Sequence, residues 1–393
     1  MNYFRMKTYV MLLICLVALP TVGIAQQSPF RGAYERLTDA KGNLNYVAPL
    51  KYLKANEASF DKGAYEQALA TYQSFVGATD STKNNFLLDK GLAENAQMAD
   101  PFAVIMPKAR NTSVVLINEA HHVPAHRAFA ATLLDSLYAA GYTVLSLEAL
   151  SEEDTAINSR KYPVASSGFY TKEPAFANFI RAALAKGFKV VGHEIRSSQE
   201  KEIADPMARS NYRDSLQAVN LLATIKANPE AKVLGYVGYD HILEKERDKY
   251  KRLGAYLRDA NVDALTIDQV TTCSCVKGNS PVALTSGGIN PVTIGSKKDF
   301  VDIQVVHPFA ASAGPRPRWL TEDPTKRATK VPLPQQYRGK KVLVQVYSKA
   351  EFEAEGRRAI PVDQFLVDGN QKQVHAMVPT TVKRVQVHYE VYE

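Results

Sequence analysis

An α/β fold is what the sequence predicts: a largely parallel sheet with flanking helices, an N-terminal helical cap and a C-terminal β-rich region. Three observations predict it. Between residues 111 and 272, short β-branched runs alternate with helix-length amphipathic segments, the pattern of βαβ units. Four of those runs end in an acid or a histidine. Residues 113–118 lead to Glu119 and His121, 142–147 to Glu148, 188–192 to His193 and Glu194, and 232–237 to Gly238 and His241. Ligand sites of open α/β sheets gather at the carboxyl ends of strands, so chemistry is expected at these four tips. Beyond residue 276, prolines and glycines separate runs with period-two alternation, which reads as β structure.

The elements follow in order. Arg5 and Lys7, the apolar run 10–19, Pro20 and the small residues Gly23 and Ala25 form a secretory signal over residues 1–25, too short for a spanning anchor. The chain is therefore expected to be exported, periplasmic or secreted, with 393 − 25 = 368 mature residues and no transmembrane segment. Residues 26–110 read as a helical region. Phe60, Tyr65, Leu69, Tyr72 and Phe75 fall near helical spacing within one helix over 55–76. A stretch at 63–69 is like a tetratricopeptide helix, but no second copy follows at that period.

Residues 111–275 form the α/β core, with helices expected over 124–140, 174–186, 210–227 and 246–260 and a fifth strand over 263–268. Pro124 suits a first helical turn, and Gly141 and Gly187 suit helix ends. The long connection 151–172, with Tyr162, Phe169 and Tyr170, is expected to form a lid or one wall of a pocket. Residues 276–393 are the β-rich region, adding strands to the main sheet or forming a small unit of their own.

Composition narrows the function classes. The formal charge of +8 becomes +6 once Arg5 and Lys7 leave, and the basic residues are scattered without an arginine-rich stripe, so nucleic acid is not an expected partner. A small-molecule or peptide substrate is. No Gly-x-Ser-x-Gly elbow, phosphate loop or His-Glu-x-x-His is present. Only Cys273 and Cys275 remain in the mature chain. A strained bridge between them, an intermolecular pair and two free thiols all stay open.

The tips carry residue types that suit acid–base or metal chemistry. Glu119 lies just before a helix N-terminus, whose dipole favours its ionised form, and Glu119 beside His121 can act as a base, an acid or a ligand pair. His126, one turn into the helix, is placed to hydrogen-bond Glu119. Glu148 follows an apolar strand, and burial raises a carboxyl pKa unless a cation compensates. An extended strand sends His193 and Glu194 to opposite sides, and Glu194 is the one expected to face the site. His241, across from Glu119 and His121, completes a candidate divalent-metal or acid–base cluster, with Glu119, His121, Glu148 and His241 as catalytic candidates. For each histidine alone, a structural role is the plainer reading.

These segments resemble the erythromycin-esterase, ChaN and Tiki superfamily. Asn118-Glu119-Ala120-His121 stands where the family has Gly-Glu-x-His, and Pro124-Ala-His126-Arg127 is similar to its Pro-x-His-His. Leu147-Glu148 matches the acid after the second strand, Arg213-Asp214 and Asn220 its Arg-Asp/Glu helix, and Gly238-Tyr-Asp-His241 its Gly-x-x-His. Asn118 departs from the family glycine, and Leu216-Gln217 from its methionine. The resemblance covers residues 111–268. The family spans esterases, metal-dependent proteases and haem-binding proteins, and the leading expectation is a hydrolase of an ester or amide bond, with Arg213, Glu194 and His126 as substrate-binding candidates. The resemblance also implies an alternative, a non-catalytic protein capturing haem or a similar ligand, with Tyr162, Tyr170, Tyr236 or Tyr239 near the pocket.

Overall fold

The computed structural model describes residues 28–78, 88, 96–273, 275–276, 278, 280–308 and 316–393. The signal sequence expected over 1–25 lies outside them. Among the described residues nine strands form the main sheet: β1 (Gln97–Ala99), β2 (Val114–Glu119), β3 (Tyr142–Leu147), β4 (Lys189–Gly192), β5 (Lys232–Gly238), β6 (Leu265–Asp268), β7 (Thr272–Cys273), β8 (Val282–Thr285) and β9 (Ile303–Pro308). Their order is β1-β8-β9-β6-β2-β5-β3-β4, with β7 pairing β9 off this path. Pairs from β4 through to β9 are parallel, while β8 runs antiparallel to both β9 and β1. The sheet thus extends through residue 308, past the expected core boundary at 275, because β9 pairs with β6 and β8 with β9.

β2 is central, paired with β5 on one side and β6 on the other, and it is buried throughout. Its side chains alternate between faces. Val115 and Ile117 pack with the helices Pro124–Ala139 and Pro174–Lys186, through Ala130, Leu133, Phe176 and Ile180. Val114 and Leu116 pack on the other face with Ala218 and Leu221 of Pro206–Ala227 and with Leu253 and Leu257 of Leu253–Asp259. Both faces being covered explains why the strands read as continuous apolar runs.

Three expected helices differ. The segment 55–76 starts at the end of the helix Val47–Ala55, makes a short 3-10 turn over Glu57–Ser59 and becomes α-helical only over Lys62–Phe75, where Asp61 caps by accepting from Ala64 N–H at 3.0 Å. The helix expected from 210 begins at Pro206, where Asp205 accepts from Ala208 N–H at 2.7 Å. The helix expected over 246–260 starts only at Leu253, because Asp248 and Lys249 adopt positive φ in a tight turn closed by Arg247 and Tyr250. Of the N-terminal helices, Pro101–Ala109 covers the main core through Val104, Ile105 and Ala109. The earlier ones build a core, with Leu50, Tyr72 and Phe75, that is shared with Ala177 and with Leu343, Ile360 and Tyr392 of the C-terminal region.

That region holds two antiparallel sheets. β10 (Lys326–Pro332) pairs with β13 (Gln373–Pro379), while β11 (Lys341–Ser348) lies between β12 (Asp363–Asp368) and β14 (Val385–Val391). Their shared core is built on Val331, Val344, Val346, Phe365 and Ala376. Cys273 and Cys275 are bonded to each other, with Cα atoms 5.1 Å apart. No helix among the described residues is long and apolar enough to cross a membrane.

Candidate functional site

Glu119 shares the face of β2 that carries Val115 and Ile117, so strand alternation alone turns it toward the helix Pro124–Ala139. There it meets Arg127, whose side chain is fully buried. Arg127 Nε donates to Glu119 Oε2 at 2.6 Å and its Nη2 to Oε1 at 2.7 Å, a two-pronged pair. Arg127 Nη1 donates to Glu173 at 2.9 Å. Glu173 in turn caps the helix Pro174–Lys186, accepting from Ala175 and Phe176 N–H at 2.8 Å each. Tyr236 of β5, on the same face, donates its hydroxyl to Glu119 Oε2 at 3.0 Å. Burial pushes the Glu119 carboxyl up, but the Arg127 guanidinium and the bonds from Arg127 and His121 outweigh it and hold the group at about 2.

His121 Nδ1 lies 2.8 Å from Glu119 Oε1. Facing an ionised acceptor, Nδ1 carries the proton, which leaves the lone pair on Nε2. The ring is fixed by Tyr170, stacked at 3.8 Å between centroids, and by Tyr239, edge-on at 4.9 Å. Tyr170 comes from the long connection after β3. His121 keeps 15% of its side chain exposed.

A second network sits at the tips of β3, β4 and β5. Arg213, on the helix Pro206–Ala227, donates to Glu148 Oε1 at 2.6 Å and to Glu194 Oε1 at 2.9 Å, with a further bond to Glu194 Oε2. Its Nη1 lies 3.2 Å from His241 Nε2. His241 Nδ1 lies 2.5 Å from Asp214 Oδ1, and Asp214 also accepts from Leu253 N–H at 2.9 Å and from Arg252 at 3.2 Å. Burial disfavours charge on His241, but Asp214 and Glu148 overcome it and raise the imidazole pKa. Burial likewise opposes ionisation of Glu148, yet His241 and Arg213 hold it well below the usual carboxylate range.

The two networks meet over Gly238, the register partner of Glu119. Gly238 N–H donates to Glu148 Oε2 at 2.5 Å. A Cβ on Gly238 would lie 2.5 Å from His121 Nε2 and 3.4 Å from Glu148 Oε2, so only glycine lets the two groups approach this way. Behind them, Asn118 donates to Asp268 Oδ1 and to the Tyr239 carbonyl, each at 2.7 Å, and Lys297 bridges Asp268 and Asp240.

Glu119, His121, Glu148, Glu194, Arg213 and His241 are therefore brought together. Glu194 faces Arg213, while His193 turns away to Ser146 Oγ at 2.9 Å, where burial lowers its pKa to about 4. Arg213 binds the chain's own carboxylates. His126 corrects the expectation: it is fully buried, and its Nδ1 accepts from Ala120 N–H at 3.0 Å instead of reaching Glu119, a place taken by Arg127. The charge that most lowers the Glu119 pKa is likewise this guanidinium. Tyr162 lies apart, beneath the Arg160 guanidinium.

Sequence reasoning placed Arg127 and Asp214 in the family-like motifs without giving them a role in the site, and did not single out Glu173. A signal existed for two of them. Arg127 falls in line with Ala130, Leu134 and Leu137 on a buried helical stripe, and Asp214 with Gln217, Ala218 and Leu221.

The expected divalent-metal set, Glu119, His121 and His241, does not fit a metal. Both Glu119 oxygens are taken by Arg127, and each histidine turns Nδ1 to a different carboxylate. Among the described residues, no three of His, Cys, Asp or Glu are grouped to hold one.

No protein-family model matches the chain, and no curated protein does. Solved structures align with about half of it. The type III effector HopBA1 is 14% identical over 55% of this chain and 98% of its own, with a TM-score of 0.35. The haem-binding ChaN of Campylobacter jejuni is 13% identical over 55% and 97%, at 0.34. The C-terminal region of Pasteurella multocida toxin, described as having a thiol-protease-like triad, is 11% identical over 54% and 31%, at 0.34. At these scores the likeness carries no argument about function.

Proposed function

We propose that this chain is an exported hydrolase of an ester or amide bond, with His121 as its general base. The observation that carries the reading is the Glu119–His121 pair: Arg127 locks the acid, the acid fixes the tautomer, and Nε2 is left as a base beside Glu148. In this mechanism His121 Nε2 takes a proton from water. The resulting hydroxide attacks the carbonyl carbon, and charge developing on the carbonyl oxygen is stabilised by the positive charge of the raised-pKa His241 and of Arg213, which stays bonded to Glu148 and Glu194. The C–O or C–N bond breaks, and the proton held on His121 passes to the leaving group.

The role expected of Glu119, activating water itself, moves to His121, because a carboxylate bound on both oxygens by a guanidinium is a poor base. Glu148 and Glu194 orient Arg213. Export is supported by the leader-like residues 1–25 and by the Cys273–Cys275 bridge, a bond that persists in oxidising compartments.

The test is a panel of ester and peptide substrates with wild type, Glu119→Gln and His121→Ala. Turnover by wild type that both variants lose supports the reading. Wild-type turnover in His121→Ala sinks it. Absence of any turnover, together with a Soret band on haem titration, replaces it with ligand capture.

A further inference from the structure

We propose that Asn118 is a positioning residue for the reaction: it holds Tyr239 in a left-handed backbone conformation, and Tyr239 in turn fixes His121 at both its ring and its main chain. This role rests on the reading of His121 as the general base. Asn118 stands just before Glu119 on β2, fully buried and on the opposite face of the strand.

The Asn118 amide offers two N–H donors and one oxygen, and all three are used. Oδ1 accepts from Gln269 N–H at 2.8 Å, which turns the amide nitrogen to Asp268 Oδ1 and to the Tyr239 carbonyl, each at 2.7 Å. The reverse orientation would set the amide oxygen against two acceptors, so the network admits only one. Asp268 is the anchor. Its Oδ1 also lies 3.1 Å from Lys297 Nζ, and its Oδ2 accepts from Thr271 at 3.0 Å. Lys297 reaches on to Asp240 Oδ1 at 2.6 Å. Residues 239 and 240 are therefore gripped together, one by its carbonyl and the other by its carboxylate, and both grips end on Asp268.

Tyr239 has a φ of +44°, a region disfavoured for any residue with a Cβ. It lies where β5 ends and the short turn Tyr239–Ile242 begins. A side-chain-bearing residue stays in such a conformation only where its surroundings over-determine it, and the Asn118 bond to its carbonyl does so. With the backbone set this way, the Tyr239 ring meets the His121 ring edge-on at 4.9 Å. Its hydroxyl accepts from His121 N–H and lies 3.4 Å from His122 Nδ1. Asn118 is bonded to neither the base nor Glu119, so its effect on rate has to pass through Tyr239.

Asn118→Ser isolates this bond. Its one hydroxyl proton goes to the charged Asp268, which leaves the Tyr239 carbonyl without its donor. The full-length protein carries this change alone and together with Tyr239→Gly, where glycine takes positive φ freely but has no ring. On the ester and peptide panel, Asn118→Ser should lower kcat by about tenfold with KM changed by less than about twofold. In the Tyr239→Gly background the same change should lower kcat by less than about twofold, because the link to His121 is already cut. Wild-type kcat in Asn118→Ser, or an equal loss in both backgrounds, overturns the proposal. NMR of the histidine ring nitrogens gives a readout free of turnover, with the His121 signals assigned by their loss in His121→Ala. Asn118→Ser should shift the His121 signals and leave those of His193 in place. Shifted His121 signals in a protein that turns over no substrate keep the positioning role and remove the hydrolase reading. Unmoved His121 signals overturn the positioning role.

Discussion

The site is built from two networks of similar parts, each with an arginine between two glutamates and a carboxylate-bound histidine. Their surroundings differ. Arg127 is wholly enclosed and its two acids are almost so, whereas the Arg213 side chain is 17% exposed and Glu194 27% exposed. A buried ion pair cannot lose one partner without leaving the other charge stranded. A half-open pair can let water or a substrate replace a lost partner. Labour is divided accordingly: the enclosed network fixes geometry, and the open one holds charge that can respond to what binds.

Removing each arginine in turn separates the two networks by the widest margin. Arg127→Met should destabilise the fold by about 3–5 kcal/mol, and Arg213→Met by only about 1–2 kcal/mol, read from denaturant midpoints at equal slope. Equal losses would erase the distinction. Next in size is His121→Ala, which should cut turnover by about 10²–10⁴-fold while leaving the melting temperature nearly unchanged. Gly238→Ala tests the junction. A methyl group 2.4 Å from His121 Cε1 must displace the ring, so activity should fall by about 10²-fold with the fold retained. Unchanged kinetics would mean that the ring does not work where it sits.

Acidification separates structural from reactive histidines. Burial lowers His193 and His122 to about 4 and His307 to about 3, so they are neutral in the fold while the unfolded chain takes up protons near 6.5. Stability should therefore fall as pH drops from about 6.5 toward 4, with each of these histidines contributing a loss of roughly 1.4 kcal/mol for every pH unit descended. Glu119 loses its own contribution lower still, as pH falls from the ordinary carboxylate value toward about 2. His241 has the opposite sign, its stabilisation being present in acid and lost as pH rises through its raised pKa. Melting temperature against pH, with His193→Gln flattening the slope, checks this. The smallest effect belongs to Glu194→Gln, which should shift the pH profile of kcat/KM while changing stability by under about 0.5 kcal/mol.

Much of the site was legible because strand tips announce themselves. A β-branched run ending in Glu or His fixes both the element and the place of the residue, and Glu119, Glu148, Glu194 and His241 all fall where that pattern puts them. The partners were harder to see. Arg127 and His126 are adjacent in sequence, but about 100° apart around a helix, and only the fold decides which one meets Glu119. Glu173 lies beyond a long irregular connection whose path no periodicity records. Strands β8 and β9 hid among prolines and glycines, since short strands between turns look alike whichever sheet they join.

β2 is the first of the parallel strands to be synthesised, yet it sits at the centre of the sheet, and Glu119 finds its register partner Gly238 only 238 − 119 = 119 residues later. Pairings across such separations form slowly and leave apolar edges uncovered in the meantime. A ribosome that stalls before β5 would release a chain bearing Glu119, His121 and Glu148 but not the strand that sets them side by side. Such fragments would be inert and prone to aggregate, so activity and escape from aggregation arrive together, late in synthesis.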